Sequence, residues 1–233
     1  MNFLGNFGNM KKLTVAMETG THSPWMSEML ENCGCKVLVA HARSLRMIWD
    51  SDRKCDRRDA EMLARMAKSD PKLLNPVKHR SRECRRDLAV IKARDILLRT
   101  STTMINYIAG TLKSFGVKID RINPADSPDG LLKSLPRELV PVLSGVFRHL
   151  KALAKEIRRY DKQIEKLCEK YPETEKLRQV GGVGPLTALA FVLVVSEPER
   201  FRNGRRLASY LGLVPERSQS GESDEQLGIT KAG

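Results

Sequence analysis

The sequence predicts an α/β segment followed by long helices. Two short apolar runs, residues 13–17 and 36–40, have the length and composition of buried strands, and residues 24–32 between them have a helical pattern. The order strand, helix, strand is typical of a parallel α/β unit. Residues 88–115 carry apolar side chains at helical spacing. The predicted fold class is therefore α/β plus α, with the α/β part at the N-terminus.

Two long helices are predicted in the middle of the chain. In the first, Ile91, Leu98, Ile105 and Leu112 recur every seven residues, and Gly116 suits its C-terminal end. Residues 144–171 form the second, whose apolar seam alternates spacings of four and three over about four heptads: Val146, Leu150, Leu153, Ile157, Tyr160, Ile164, Leu167 and Tyr171. This seam favours a coiled coil between copies of the chain, hence a homo-oligomer. A helix packed within its own chain is the alternative.

Composition restricts the partners and the compartment. The net charge of +13 indicates a polyanionic partner, most often nucleic acid, although a basic protein without such a partner is the alternative. No apolar run is long enough to span a bilayer, so no membrane partner is expected. Five scattered cysteines favour reduced thiols in a cytoplasm over a disulfide framework.

Three carboxylates are the candidate metal ligands. Glu18 follows the first apolar run, and Asp56 and Asp59 open a helical pattern three residues apart, a spacing that puts both on one helix face. Hard cations such as Mg²⁺ bind carboxylate oxygens, and metal-assisted attack on a phosphodiester suits acids set among Arg and Lys. Solvated acids at a helix start are the alternative, because the helix dipole favours them there.

Two features of the tail are candidate contacts with nucleic acid. Gly182 and Gly184 precede an apolar helix, and such a glycine turn exposes backbone N–H groups that can hold a phosphate; a simple tight turn is the alternative. Ser220 stands beside Gly221 in a polar segment that is expected to be an exposed loop. A serine there can act as a nucleophile if a base or a metal activates it, whereas composition alone favours an ordinary turn.

Several motifs in sequence order give the chain a family resemblance. It resembles transposases of the insertion sequence 110/1111 group. The matching motifs are Met-Glu-Thr-Gly at 17–20, Lys-x-Asp-x-x-Asp-Ala at 54–60, Leu-Asn-Pro-Val at 74–77, Gly-Val-Gly-Pro-Leu-Thr-Ala at 182–188, Arg-Phe at 200–201, Leu-Ala-Ser-Tyr-Leu-Gly-Leu-x-Pro at 207–215, Ser-Gly at 220–221 and Gly-Ile-Thr-Lys-x-Gly at 228–233.

The resemblance implies an architecture of three parts. These are an RNase H-like (RuvC-like) acidic domain at residues 10–80, long helices at 81–172 that include a coiled coil at 144–171, and a helical C-terminal transposase domain at 173–233. Both outer domains are expected to be partial, and the acidic domain to lack its first strand or strands.

The resemblance also implies DNA strand exchange with Mg²⁺, acidic residues, a serine that bonds covalently to DNA, and a structured RNA as guide. Glu18, Asp56 and Asp59 match the second, third and fourth acids and would be catalytic and metal-binding, and Ser220 matches the serine. Residues assigned to nucleic-acid binding are Gly182, Gly184, Thr187 and Lys231. The protein is expected in the bacterial cytoplasm, on the nucleoid when bound to DNA.

Two departures from the family affect the expected activity. The family's first acid lies on an earlier strand, and no Asp or Glu precedes Glu18. The resemblance also implies a family sequence that continues past Gly233. This copy is therefore expected to be a decayed element that forms no covalent adduct with DNA. The alternatives are a remnant that binds nucleic acid without cutting it, and a junction-resolving nuclease, which would need the acids but not Ser220.

Overall fold

The computed structural model describes residues 9–41, 45, 55–118, 122, 135–220 and 223–229. The chain divides into two units, Met1–Ser81 and Arg82–Gly233. The first unit contains β1 (Thr14–Glu18), α1 (Ser23–Asn32), β2 (Lys36–Ala40), α2 (Asp56–Ser69) and a 3₁₀ helix at Pro71–Leu74. The second unit contains α3 (Arg82–Ser114), α4 (Val140–Lys170), α5 (Glu173–Arg178), α6 (Pro185–Val195), a 3₁₀ helix at Pro198–Arg200, α7 (Gly204–Tyr210), β3 (Pro215–Ser220) and β4 (Ser223–Ile229).

The first unit is a small α/β arrangement. Strands β1 and β2 pair in parallel, with Glu18 opposite Ala40 at their C-terminal ends, and α1 connects them. Helix α2 packs its apolar face, which includes Leu63 and Met66, onto a core around Leu38, Ala40 and Leu74. The predicted parallel strand–helix–strand unit is thus confirmed, while the more specific RNase H-like topology stays a prediction.

The second unit is organised by two long helices that run antiparallel. Arg94 of α3 forms an ion pair with Asp161 of α4, and Ile108 packs in one cluster with Phe147 further along the pair. Ser101 and Ala154, both buried, lie level with each other midway, where small side chains let the helices approach closely. Both predicted long helices are therefore confirmed, each starting a few residues earlier than expected.

The seam of α4 is covered largely within the chain. Leu150 packs in the cluster that includes Ile108 and Leu112, and Ile164 packs in a second cluster with Cys84 and α6. The buried positions of the helix are Leu143, Phe147, Leu150, Ala154, Ile164 and Cys168. The intrachain alternative therefore accounts for the buried part of the seam, and the intermolecular coiled coil stays a prediction.

A buried carboxylate fastens α3 to the end of α4. Asp87, only 2% exposed, accepts hydrogen bonds from Lys170 Nζ at 2.6 Å, Tyr171 Oη at 2.8 Å and Arg86 Nε at 2.9 Å. Burial by itself raises the pKa of Asp87, but the hydrogen bonds from Lys170, Tyr171 and Arg86 outweigh it, so the pKa lies below its usual value. Glu83 adds a second carboxylate at 2.6 Å from Lys170 Nζ.

The tail departs from the all-helical expectation. Helices α6 and α7 were expected, but β3 and β4 form an antiparallel hairpin where the sequence indicated a polar loop. The predicted helical C-terminal domain was wrong in this respect. The segment has no apolar alternation, so its strands depend on backbone hydrogen bonds that the side-chain pattern does not reveal. No helix within the described ranges is long and apolar enough to cross a membrane.

Candidate functional site

The acidic candidates lie at the ends of two elements that pack together in the first unit. Glu18 is the last residue of β1, and Asp56 and Asp59 occupy the first turn of α2, which packs against β1. The spacing of Asp56, Asp59, Leu63 and Met66 places all four on one stripe of α2, so the acids continue the face that packs on the sheet. Glu18 and Asp59 are half-buried, while Asp56 is exposed.

The same three carboxylates do not form a metal site in this structure. Within the part of the chain that is described, no three His, Cys, Asp or Glu side chains lie close enough together to hold an ion. Divalent cations need several oxygen ligands converging at about 2.0–2.6 Å. The predicted pairing of Asp56 with Asp59 on one helix face is present, but Glu18 does not join them at ligand distance, so the arrangement does not fit Mg²⁺ as it stands.

The glycine turn of the second unit presents backbone donors to solvent. Gly182 adopts φ of +85°, a conformation that favours glycine, and a Cβ at Gly182 or Gly184 would meet nothing within 4 Å. Helix α6 starts immediately afterwards without a side-chain cap. Its first turn leaves the N–H groups of Leu186 and Thr187 without an intrahelical acceptor. This open end, with Thr187 exposed, can accept phosphate oxygens.

A groove beside the glycine turn runs between α3 and α6. Its volume is about 540 Å³, with Ile91 and Phe191 on its apolar walls and Thr187 and Lys92 among its polar residues. Of these groove residues, only Thr187 was a candidate for nucleic-acid binding from the sequence. Only the packing of α6 on α3, which links positions far apart in the chain, brings them together.

The catalytic candidate of the tail lies at the tip of the hairpin. Ser220 is the last residue of β3 and pairs with Ser223 of β4, so only residues 221 and 222 connect the strands. An exposed loop was expected at Ser220, and the structure instead places the residue at the end of a paired strand. Lys231, the remaining nucleic-acid candidate, lies outside the described residues.

Comparisons with known protein families show which family the chain belongs to. A family model described as Transposase IS116/IS110/IS902 family matches residues 174–233, and a model of a DEDD transposase domain of insertion sequence 110, described as Transposase, matches residues 3–116. The chain belongs to the insertion sequence 110 family of transposases. All the acidic candidates fall inside the family's N-terminal match, and the glycine turn, Ser220 and Lys231 fall inside its C-terminal match.

Individual relatives agree with this assignment. The transposase for insertion sequence element IS1111A of Coxiella burnetii is 28% identical over 190 residues, an alignment that covers 77% of this chain and 50% of the relative. A probable family 20 transposase of Pseudomonas aeruginosa is 26% identical over 234 residues, covering 97% of this chain and 68% of that protein. The chain thus spans half the length of the first relative and about two thirds of the second.

Proposed function

We propose that this chain acts in DNA transposition, binding DNA together with a structured guide RNA and cutting and rejoining DNA strands. The observation that carries the proposal is the ordered match to two transposase family models at the two ends of the chain. A net charge of +13 supports it, because phosphate backbones supply the charge that would neutralise the excess. This role predicts a cytoplasmic protein that associates with the nucleoid through DNA.

The proposed chemistry is covalent catalysis by Ser220. Its hydroxyl oxygen attacks a DNA phosphorus and gives up its proton, so that an O–P bond to the serine forms. The O–P bond to a deoxyribose breaks, and the departing oxygen takes up a proton, so that the strand leaves with a hydroxyl group. The strand is rejoined when another strand's hydroxyl attacks the phosphoserine linkage and releases the serine. The glycine turn at Gly182 and Gly184, with Thr187 and Lys231, would hold backbone phosphates near the reaction.

The test is the covalent intermediate itself. The chain is incubated with labelled DNA that carries the junctions of its insertion sequence, with the transcribed RNA and Mg²⁺, and is then denatured. A labelled band that migrates with the protein and is absent in Ser220→Ala supports serine chemistry. Ser218→Ala, another serine of β3, is the matched control and should leave the band unchanged. Strand cleavage that persists in Ser220→Ala would instead indicate a nuclease that does not use the serine.

Binding of Mg²⁺ by Glu18, Asp56 and Asp59 is the second part of the proposal and is tested separately. Because these carboxylates are not gathered in the isolated chain, calorimetry should detect weak binding or none until DNA is present. A bound ion would supply Lewis-acid assistance at the phosphate. Tight binding by the chain alone that Asp59→Asn abolishes would contradict the expectation of weak binding.

The second candidate function is nucleic-acid binding without cleavage, which is the outcome expected of a decayed copy that lacks an acid before Glu18. The carboxylate geometry favours it, since three acids that do not converge supply no metal centre. The adduct experiment separates the two candidates. A chain that shifts labelled DNA in a gel but yields no adduct and no cleaved strand is a binding protein, whereas the Ser220-dependent adduct establishes the recombinase.

A further inference from the structure

An arginine in the second unit lies over two aromatic rings at the protein surface. The guanidinium carbon of Arg200 is 4.6 Å from the ring centroid of Phe201 and 4.5 Å from that of Tyr210. The two rings are themselves in contact, with centroids 5.2 Å apart and planes inclined by 54°. Arg200 is exposed, so the rings hold the guanidinium in place while leaving part of it open to solvent.

The local structure fixes this platform. Arg200 ends a 3₁₀ helix that begins at Pro198, and Phe201 follows directly. The side chain of Asn203 accepts a hydrogen bond from the N–H of Arg206 and starts α7, whose last residue is Tyr210. The Tyr210 hydroxyl donates to the carbonyl of Val194 at the end of α6. The two rings are therefore anchored at both ends of α7.

The charge around Arg200 in the sequence is mainly basic. Two exposed acids, Glu197 and Glu199, precede Arg200, and three exposed arginines follow it within six residues: Arg202, Arg205 and Arg206. None of the four arginines forms an ion pair with a carboxylate within the described ranges. The long helices behave differently, because Arg94 pairs with Asp161 and Arg99 with Asp95. We call residues 200, 202, 205 and 206 the arginine cluster.

We propose that the arginine cluster is a phosphate-binding site for the backbone of a nucleic acid, with Arg200 as its central, preorganised contact. A guanidinium is planar and weakly hydrated, stacks on aromatic faces, and binds phosphate through two parallel N–H···O bonds. Stacking on Phe201 and Tyr210 removes rotamer freedom before the ligand arrives, so less entropy is lost on binding. An ammonium group cannot reproduce this geometry.

This site lies outside the glycine turn and is an addition to it. It rests on the proposed function in that its ligand is nucleic acid, but it makes a separate claim about where the backbone is held. A guanidinium that only packs against two rings would affect stability and leave the salt dependence of binding unchanged. The experiment therefore measures both quantities.

The experiment is a salt titration of binding to fluorescein-labelled duplex DNA, followed by anisotropy, with thermal unfolding of each variant. Arg200→Ala should weaken binding about tenfold at low salt and reduce the slope of log affinity against log salt by about one. Arg200→Lys should lose roughly threefold despite keeping its charge. Arg148→Ala, which removes an exposed arginine of α4, is the matched control and should change affinity less than about twofold.

Two ring variants test the platform. Tyr210→Phe keeps the ring but loses the hydrogen bond to Val194, so it should weaken binding less than Tyr210→Leu, which removes the ring and should match Arg200→Lys. Equal affinities and slopes for Arg200→Ala and Arg148→Ala would overturn the inference while leaving the proposed function intact. If the parent chain fails to bind DNA at low salt, both the arginine-cluster inference and the proposed function are wrong.

Discussion

At the scale of single residues, Asp87 is a buried and fully hydrogen-bonded side chain of the second unit. Its two oxygens accept three hydrogen bonds, from Lys170, Tyr171 and Arg86, and thereby join the start of α3 to the end of α4. A buried charge is tolerable only while its partners remain, because an unpaired ion in a poorly solvated position is costly.

Replacing Asp87 with Asn should therefore destabilise the second unit. The amide keeps one acceptor but loses the charge that pairs with Lys170, and we expect a loss of roughly 2 kcal/mol in the free energy of unfolding. Urea titration followed by circular dichroism measures it. Asp95→Asn is the control, since Asp95 forms an exposed pair with Arg99 and should cost less than about 0.5 kcal/mol. Equal effects of the two variants would show that the buried network contributes little.

The hydroxyl of Tyr171 gives this network a pH dependence on the alkaline side. Burial, together with the hydrogen bond to Asp87, raises the pKa of Tyr171 from its ordinary range to about 12. The folded chain thus holds a proton that the unfolded chain releases, so this stabilisation is complete below pH 10 and is lost as pH rises toward about 12.

The Tyr171→Phe variant should lose less stability than the parent as the pH rises through this range. Urea midpoints of the parent should fall between about pH 9 and about pH 12, and those of the variant should fall less steeply. The variant keeps a residual decline because hydrogen bonds to Asp87 and Glu83 also raise the pKa of Lys170. Identical pH profiles would mean that Tyr171 is solvated in solution.

At the scale of elements, the α4 stripe distinguishes packing within the chain from packing between chains. Ile164 is 2% exposed in an intrachain cluster, so a charge there disrupts the fold and reports nothing on assembly. Leu153, Ile157 and Tyr160 are half-buried, and Leu98 of α3 nearby is 43% exposed. These mid-helix side chains are the part of the predicted seam still available to another copy.

Leu153→Asp should accordingly reduce self-association without unfolding the chain. The charge would be buried if a second helix packed on this stripe, and burial of an unpaired carboxylate is unfavourable. Sedimentation velocity measures the change, and Ala152→Asp, at an exposed neighbouring position, is the control that should assemble normally. If the parent sediments as a monomer at every concentration, the seam makes contacts only within the chain.

Elements with strong periodicity could be predicted from sequence, and the others could not. The apolar run at residues 36–40 gave β2 with its observed bounds, and Gly116, with φ of +72°, follows the end of α3 as its spacing indicated. The hairpin of β3 and β4 was missed because cross-strand backbone pairing leaves no period in a polar sequence. The four-and-three spacing predicted a helix but not its partner, because packing within the chain and packing between copies require the same apolar stripe.

At the scale of the whole molecule, the excess positive charge should control the affinity for nucleic acid. Each phosphate that the protein neutralises releases a condensed counterion, so contact with four or more phosphates should lower the affinity about 100-fold between about 50 and about 200 mM salt. Anisotropy titrations of labelled DNA and of labelled structured RNA measure the slope. Binding that is indifferent to salt would show that the net charge of +13 is not engaged by the ligand.

The candidate site was predictable as residues but not as an arrangement. Local sequence located Glu18 at a strand end and Asp56 at a helix start, because both positions follow from nearby apolar patterns. Whether the acids converge depends on how helix and sheet are placed, which no local pattern determines. The Arg200 platform needs Phe201 and the more distant Tyr210 beside one guanidinium, and although both rings lie in motifs that the sequence analysis listed, nothing in those motifs indicates that the rings meet.

The contact between the first turn of α3 and the end of α6 has a consequence for biosynthesis. The Cys84 thiol donates to the carbonyl of Leu193, 109 residues later in the chain. A ribosome adds residues in order, at about 5–20 per second. Several seconds therefore pass between the synthesis of the first turn of α3 and that of α6, which covers it. Once α4 has been made, it can pair with α3 along its length before α6 follows, but the apolar side chains around Cys84 that α6 covers are still exposed. This nascent hairpin is the stage at which we expect chaperones to bind.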